Sequence, residues 1–186
     1  AYTGLHAAAA KGDASGIAAM LNQGADANAR DGHGRTPLHV TAHFGHHAAA
    51  RALVAGGADP KLLDSRRYDA ITIAAVRDDA DYVKTAIEIG GDAKAITSIY
   101  DGTALIAAAH LGHHRVIDVL IKAGAPLNHV NNLGWTALIE AIVLGDGGAR
   151  HTACVELLVA AGSNPNLADR NGATPLALAR SRGFTK

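Results

Sequence analysis

Six of the chain's eleven histidines fall in two copies of one pattern. AHFGHH runs from Ala42 to His47, and AHLGHH from Ala109 to His114. Each sets three imidazoles at i, i+3 and i+4, a spacing that could gather ring nitrogens on one helix face around a transition metal. Gly45 and Gly112 interrupt that spacing, and no carboxylate nearby in sequence completes a zinc shell. Other reactive residues are few. The one cysteine, Cys154, excludes a disulfide framework and a cysteine-based zinc site. It lies in TACVELLVAAG and reads as a small core residue. Asp78 and Asp79 share a turn and read as solvated carboxylates. No G-x-S-x-G, P-loop or H-E-x-x-H is present. DGHGRT is not a dinucleotide fingerprint, because it follows no strand. No catalytic residue and no resident metal or cofactor is expected.

The bulk composition narrows the class. The 186 residues suit one domain, or two small ones. Apolar residues make up 48% and aromatics 4%, so the core is expected to be closely packed aliphatic helices. Seventeen basic side chains balance seventeen acidic ones, which gives no global attraction to nucleic acid or anionic lipid. No apolar run approaches the roughly 18 residues of a membrane span.

The elements that position these residues repeat. Thr36-Pro37-Leu38-His39 places a hydroxyl at a helix N-cap and Pro at the first helical position. The pattern recurs at Thr3, Asp69, Thr103, Thr136 and Thr174, in steps of 33, 33, 34, 33 and 38 residues. Leu or Ile stands two residues after every cap. A short helix follows, with small inward residues such as Ala8-Ala9, Thr41-Ala42, Ala74-Ala75 and Ala108-Ala109. A break comes at Gly12, Gly45, Gly112, Gly145 and Gly183, with Asp78 in the third unit. A second helix carries an apolar stripe at i, i+3 and i+4: Ile17, Met20 and Leu21; Ala50, Leu53 and Val54; Val83, Ala86 and Ile87; Ile117, Leu120 and Ile121. Gly24, Gly57, Gly90, Gly124 and Gly162 end these second helices.

GRTPLHVTAHFGHHAAARALVAGGAD resembles the ankyrin repeat in its T-P-L-H cap, its G-H between helices and its closing G-A-D. The resemblance covers the whole chain. It implies an all-α ankyrin-repeat solenoid of stacked helix-turn-helix units with β-hairpin-like loops, as a single domain over 1–186. The units are set at approximately 1–30, 31–63, 64–96, 97–130, 131–168 and a partial 169–186. The third unit departs most, with DAIT for T-P-L-H and RDDA at the turn. Asp146 to Arg150 is a five-residue insertion between the helices of the fifth. The alanine-rich composition is similar to that of bacterial ankyrin proteins. Arg180 fits a final unit left uncovered. The absence of an initiator Met and the half-built sixth unit leave open a longer native chain.

The resemblance also gives five histidines a structural role, bonding near the turns: His6, His39, His46, His113 and His151. The rest, including His43, His47, His110 and His114, read as surface additions. The two clusters are roughly 20 Å apart at 8–10 Å per helix layer, too far to share an ion.

In the family, partner-contacting positions gather at hairpin tips up to the residue before the cap, and at the end of the first helix. Carried over here, they are Arg35, Tyr68, Tyr100, Leu133 and Trp135, then His43, Phe44, Arg77, His110, Leu111 and Leu144. Such a face would run roughly 50 Å and is rich in the residue types that anchor interfaces. It implies a non-catalytic module for a protein or extended peptide of unknown identity. No nucleic acid, membrane or small-molecule substrate is expected. The rival readings are a His-rich metal-binding protein and a targeting or scaffold part of a larger protein.

Overall fold

Five of the six predicted caps close a helix's first turn with their own side chain. Thr36, Asp69, Thr103, Thr136 and Thr174 each accept from the backbone N–H three residues on. Thr3 caps without a side-chain bond. The computed structural model describes residues 2–185. It divides into two compact units, Ala1–Asp92 and Ala93–Lys186. Eleven helices and no strand occur among the described residues.

The first unit holds α1 (Gly4–Lys11), α2 (Ala14–Asn22), α3 (Pro37–Phe44), α4 (His47–Ala55), α5 (Ala70–Val76) and α6 (Ala80–Glu88). First helices stack on first helices, α1 on α3 and α3 on α5, while α2 packs on α4 and α4 on α6. The small residues make this approach close: Ala9, Ala42, Ala74 and Ala75 have no exposed surface. In the second helices the stripe is narrower than its spacing suggests. Ile17, Leu53 and Val83 are fully buried, whereas Leu21, Val54 and Ile87 are half-buried.

The second unit holds α7 (Ala104–Leu111), α8 (His114–Lys122), α9 (Ala137–Val143), α10 (Ala149–Ala160) and α11 (Pro175–Ser181). Here α7 packs on α9, α9 on α11, and α8 on α10. Cys154 sits fully buried on α10, as expected. The insertion is only partly a loop. Gly148 is the N-cap of α10, so Ala149, Arg150 and His151 extend the helix by about one turn, and α10 has 12 residues against 9 for α8.

Hairpin-like loops link the repeats, and single backbone pairs close them. Asp31 donates to Arg35 O at 2.9 Å, Asp64 to Tyr68 O at 2.9 Å and Asn131 to Trp135 O at 3.0 Å. Thr97 and Gly102 exchange both bonds as an isolated bridge.

The third repeat keeps the backbone of the others without their glycine. Gly12, Gly45 and Gly112 take φ of 72°, 74° and 74°, and Asp78 takes 61° at the matching break. Aspartate tolerates this left-handed region better than bulky residues do, and a β-branched side chain is its poorest occupant. Asp78→Val is therefore expected to cost about 1–2 kcal/mol. Chemical denaturation followed by circular dichroism checks it, and an unchanged midpoint would contradict the strain.

Candidate functional site

The histidine clusters come apart in space. Helix α3 ends at Phe44 and α4 begins at His47, so the three imidazoles of AHFGHH do not share one helix. His46 Nε2 donates to Ala10 O at 3.0 Å, and His151 Nε2 donates to His110 O at 2.8 Å. Each thereby ties a turn to the end of the preceding first helix. In the third repeat Arg77 takes over that task, donating to Ala42 O at 2.6 Å. His6 donates to Arg35 O at 2.8 Å and His39 to Tyr68 O at 3.0 Å, joining each first helix to the next hairpin. Among the described residues no group of three or more His, Cys, Asp or Glu is placed to hold a metal ion.

Two of the histidines read as surface additions are hydrogen-bonded to distant parts of the chain. His47 Nδ1 pairs with Thr85 Oγ1 at 2.6 Å, and its ring tilts against Tyr82 at 5.6 Å between centroids. His129 donates to Asp101 O at 2.7 Å. The partners lie 38 and 28 residues away, beyond the reach of a local motif.

The expected contact residues of the first unit sit at the hairpin tips and at the ends of α3 and α5. Phe44 is 50% exposed and meets Tyr2 edge-on at 6.5 Å. Tyr68 is half-buried, with the Arg66 guanidinium 4.7 Å above its ring. His43 and Arg35 bring two unsatisfied groups to this surface, because His43 Nε2 and Arg35 Nε are buried without a partner. Burial foremost, then the charges of Arg35 and Arg66, pushes His43 down to about 4. It is therefore a neutral imidazole at physiological pH. Arg77 is a weaker contact residue than its position implies, since its guanidinium already holds Ala42 O and Asp79.

In the second unit Tyr100 is 50% exposed, and Leu111, Leu133 and Leu144 are also exposed. Trp135 is half-buried, its backbone N–H held by Asn131 Oδ1 at 3.1 Å. His110, at the end of α7, stands 3.9 Å from a buried carboxylate, Glu140 on α9. The sequence reading missed this acid and its hairpin partner Asn131. Its one signal was a Glu at a position that Val40 and Ile73 fill in other repeats. A cavity of about 350 Å³ opens beside the insertion, lined in part by Asp146, His151, Val155 and Phe184.

The family model described as Ankyrin repeats (3 copies) matches residues 5–96 and 71–169. The chain belongs to the ankyrin repeat family. It is 34% identical over 178 residues to the ankyrin repeat protein YahD of Escherichia coli (strain K12), covering 95% of this chain and 88% of that protein. An ankyrin repeat domain from Acinetobacter baumannii AYE superposes with a TM-score of 0.89 at 43% identity, covering 97% of this chain and 91% of that one. Some relatives are much longer. An L-asparaginase of Dirofilaria immitis is 28% identical over 91% of this chain, a match that takes up 28% of that protein.

Ankyrin repeats generally serve as protein–protein interaction modules and are typically non-catalytic. Within that family frame, the internal bonds of His6, His39, His46 and His151 belong to the scaffold. Phe44, Leu111, Leu144 and Tyr100 are exposed, whereas Tyr68 and Trp135 are half-buried. Among the described residues no helix is long and apolar enough to cross a membrane.

Proposed function

We propose that this ankyrin array is a non-catalytic binding module that receives a protein surface or an extended peptide on its first-helix ends and hairpin tips. One observation carries the reading. In three repeats the last residue of the first helix, or the one just after it, exposes a large apolar side chain, Phe44, Leu111 and Leu144, and in the third repeat Val76 is exposed one position earlier. The fold does not require it there, because Lys11, Arg77 and Arg182 occupy the matching positions of the first, third and sixth repeats. Single exposed apolar residues are ordinary, but three of them at one register position are the pattern of an interaction surface. The hairpin aromatics Tyr68, Tyr100 and Trp135 are further amphipathic side chains of the type that anchors interfaces.

A paired affinity capture tests the reading. One bait is the intact chain, and the other carries Phe44→Ala, Tyr68→Ala and Trp135→Ala, with its helical circular dichroism verified. A partner held by the first bait and weakened at least about tenfold on the second is the expected result. Equal retention by both baits would overturn this choice of face.

A further inference from the structure

Glu140 is a buried acid at a position of the first helix that other repeats fill with Val40 or Ile73. Its side chain is only 6% exposed. The hairpin above it has changed to match. Asp31, Asp64 and Asp169 each accept two backbone N–H groups with Oδ1, which holds the loop. Asn131 does the same for Leu133 and Trp135 at 3.0 and 3.1 Å. As an amide it also has a donor, and Nδ2 gives it to Glu140 Oε1 at 2.9 Å. An Asp at 131 would set two carboxylates at hydrogen-bond distance. This repeat therefore keeps its loop anchor while accommodating the acid.

The other oxygen, Glu140 Oε2, is buried and has no hydrogen-bond partner. His110 Nδ1 stands 3.9 Å from it. That is too long for a hydrogen bond. It is also not an ion pair at neutral pH, because burial, and then the neighbouring His151, hold His110 below its ordinary value. Among the described residues no lysine or arginine is paired with Glu140. Burial pushes its carboxyl up to about 6, against the bond from Asn131. At pH 7 it is mainly ionised, a buried charge without a counter-ion. Such a charge is costly unless something pairs with it.

We propose that Glu140 Oε2 is the docking point for a lysine or arginine side chain of the protein partner, entering past His110 between the ends of α7 and α9. This inference rests on the binding face proposed above and names the chemistry that one part of it reads. Charge complementarity selects the occupant. A cation completes the bare oxygen, whereas an apolar or acidic side chain would leave it unpaired. Leu111 follows His110, and Leu144 lies one turn beyond Glu140, so exposed aliphatic groups flank the entry and can pack along the stem of a long basic side chain. His110 is half exposed beside Oε2, and the proposed cation enters by displacing its ring. The polar groups around the site are His110 on α7, Asn131 in the hairpin, and His151 on α10 with Asp146 beside it.

The test follows the Glu140 carboxyl by NMR in the intact chain labelled with ¹³C at glutamate side-chain carboxyls. The probe is N-acetyl-arginine methylamide, and the control is its neutral isostere, N-acetyl-citrulline methylamide. Arginine is expected to lower the Glu140 titration midpoint by about one unit at saturation, a tenfold preference of the ionised acid for the cation. It should also shift His110, an effect lost in Glu140→Gln. Citrulline should leave the midpoint in place. An unmoved midpoint, or equal effects from both probes, would overturn the proposal. Loss of capture by the aromatic triple variant together with an unmoved midpoint would retain the face and remove the cation site. An arginine-specific shift without that loss would retain the cation site and remove the wider face.

Discussion

Tyr82→Ala is expected to destabilise the unit Ala1–Asp92 by about 3–5 kcal/mol, the range for removing a large buried aromatic side chain. Tyr82 has no exposed surface and is the largest of the fully buried side chains. It lies on α6, where α2 and α4 carry Gly16 and Ala49 at matching positions. The ring reaches back across the stack to α3 and α4. Thr41 Oγ1 donates to Leu38 O at 2.7 Å, so the Tyr82 hydroxyl donates to Thr41 Oγ1, also at 2.7 Å. His47 lies against the ring and pairs with Thr85, one turn further along α6. Burial first of all raises the phenol well above its ordinary range, so it stays a neutral donor. Tyr82→Phe separates packing from hydrogen bonding and should cost only about 1 kcal/mol. Urea denaturation of both variants checks the pair of values. A loss below 1 kcal/mol for Tyr82→Ala would mean that the cavity collapses or that the ring contributes little.

The backbone of this protein is legible because its requirements are local. A cap, a small inward residue and a left-handed break fall at fixed offsets within 33 residues, and each follows from one residue's own chemistry. Asp78 shows how far this extends, since the register alone placed it in a conformation that glycine holds elsewhere. Side chains that act between repeats are harder to read. Tyr82 lies one residue before the apolar stripe that starts at Val83, and nothing in its own helix shows that it meets Thr41, 41 positions earlier. Arg77 looks like a contact residue until its bond to Ala42 O is seen. Glu140 is unexceptional in sequence, because its meaning depends on an amide in the preceding hairpin and an imidazole on the previous first helix. The candidate face divides in the same way. Exposure at Phe44, Leu111 and Leu144 follows from helix register, whereas Tyr68 and Trp135 are partly covered by their own hairpins.

His39→Ala is expected to cost about 3 kcal/mol at pH 7.5, with a smaller penalty at pH 5. The ring is almost fully buried and uses both nitrogens. Nδ1 accepts from the Thr36 backbone N–H at 3.0 Å and from the Thr36 hydroxyl at 2.8 Å, so the proton resides on Nε2, which donates to Tyr68 O at 3.0 Å. Truncation leaves the Thr36 N–H buried without a partner, at about 1–3 kcal/mol. Tyr68 O keeps its bond from Asp64 N–H, so that end loses less. The lost ring contacts bring the sum to about 3 kcal/mol. The pH dependence follows from linkage. Burial above all lowers His39 below the ordinary value of 6.5, against the pull of Asp64, so the native ring is neutral while the unfolded one takes up a proton below that value. Its stabilisation is complete above 6.5 and is lost as pH falls towards the folded value. His43, pushed down to about 4, acts with the same sign, discounted to about 1 kcal/mol because it is half exposed. Glu140 opposes both, since an acid raised to about 6 favours the fold as pH falls through that value. Wild-type stability should therefore decline from pH 6.5 towards 4, more shallowly than the two histidines alone would give. The decline should flatten in His39→Ala, because the variant has already lost the group that titrates. Urea denaturation of both proteins at pH 7.5 and 5 measures this directly, and an equal penalty at the two pH values would show that His39 stabilises by its bulk and not by the proton it excludes.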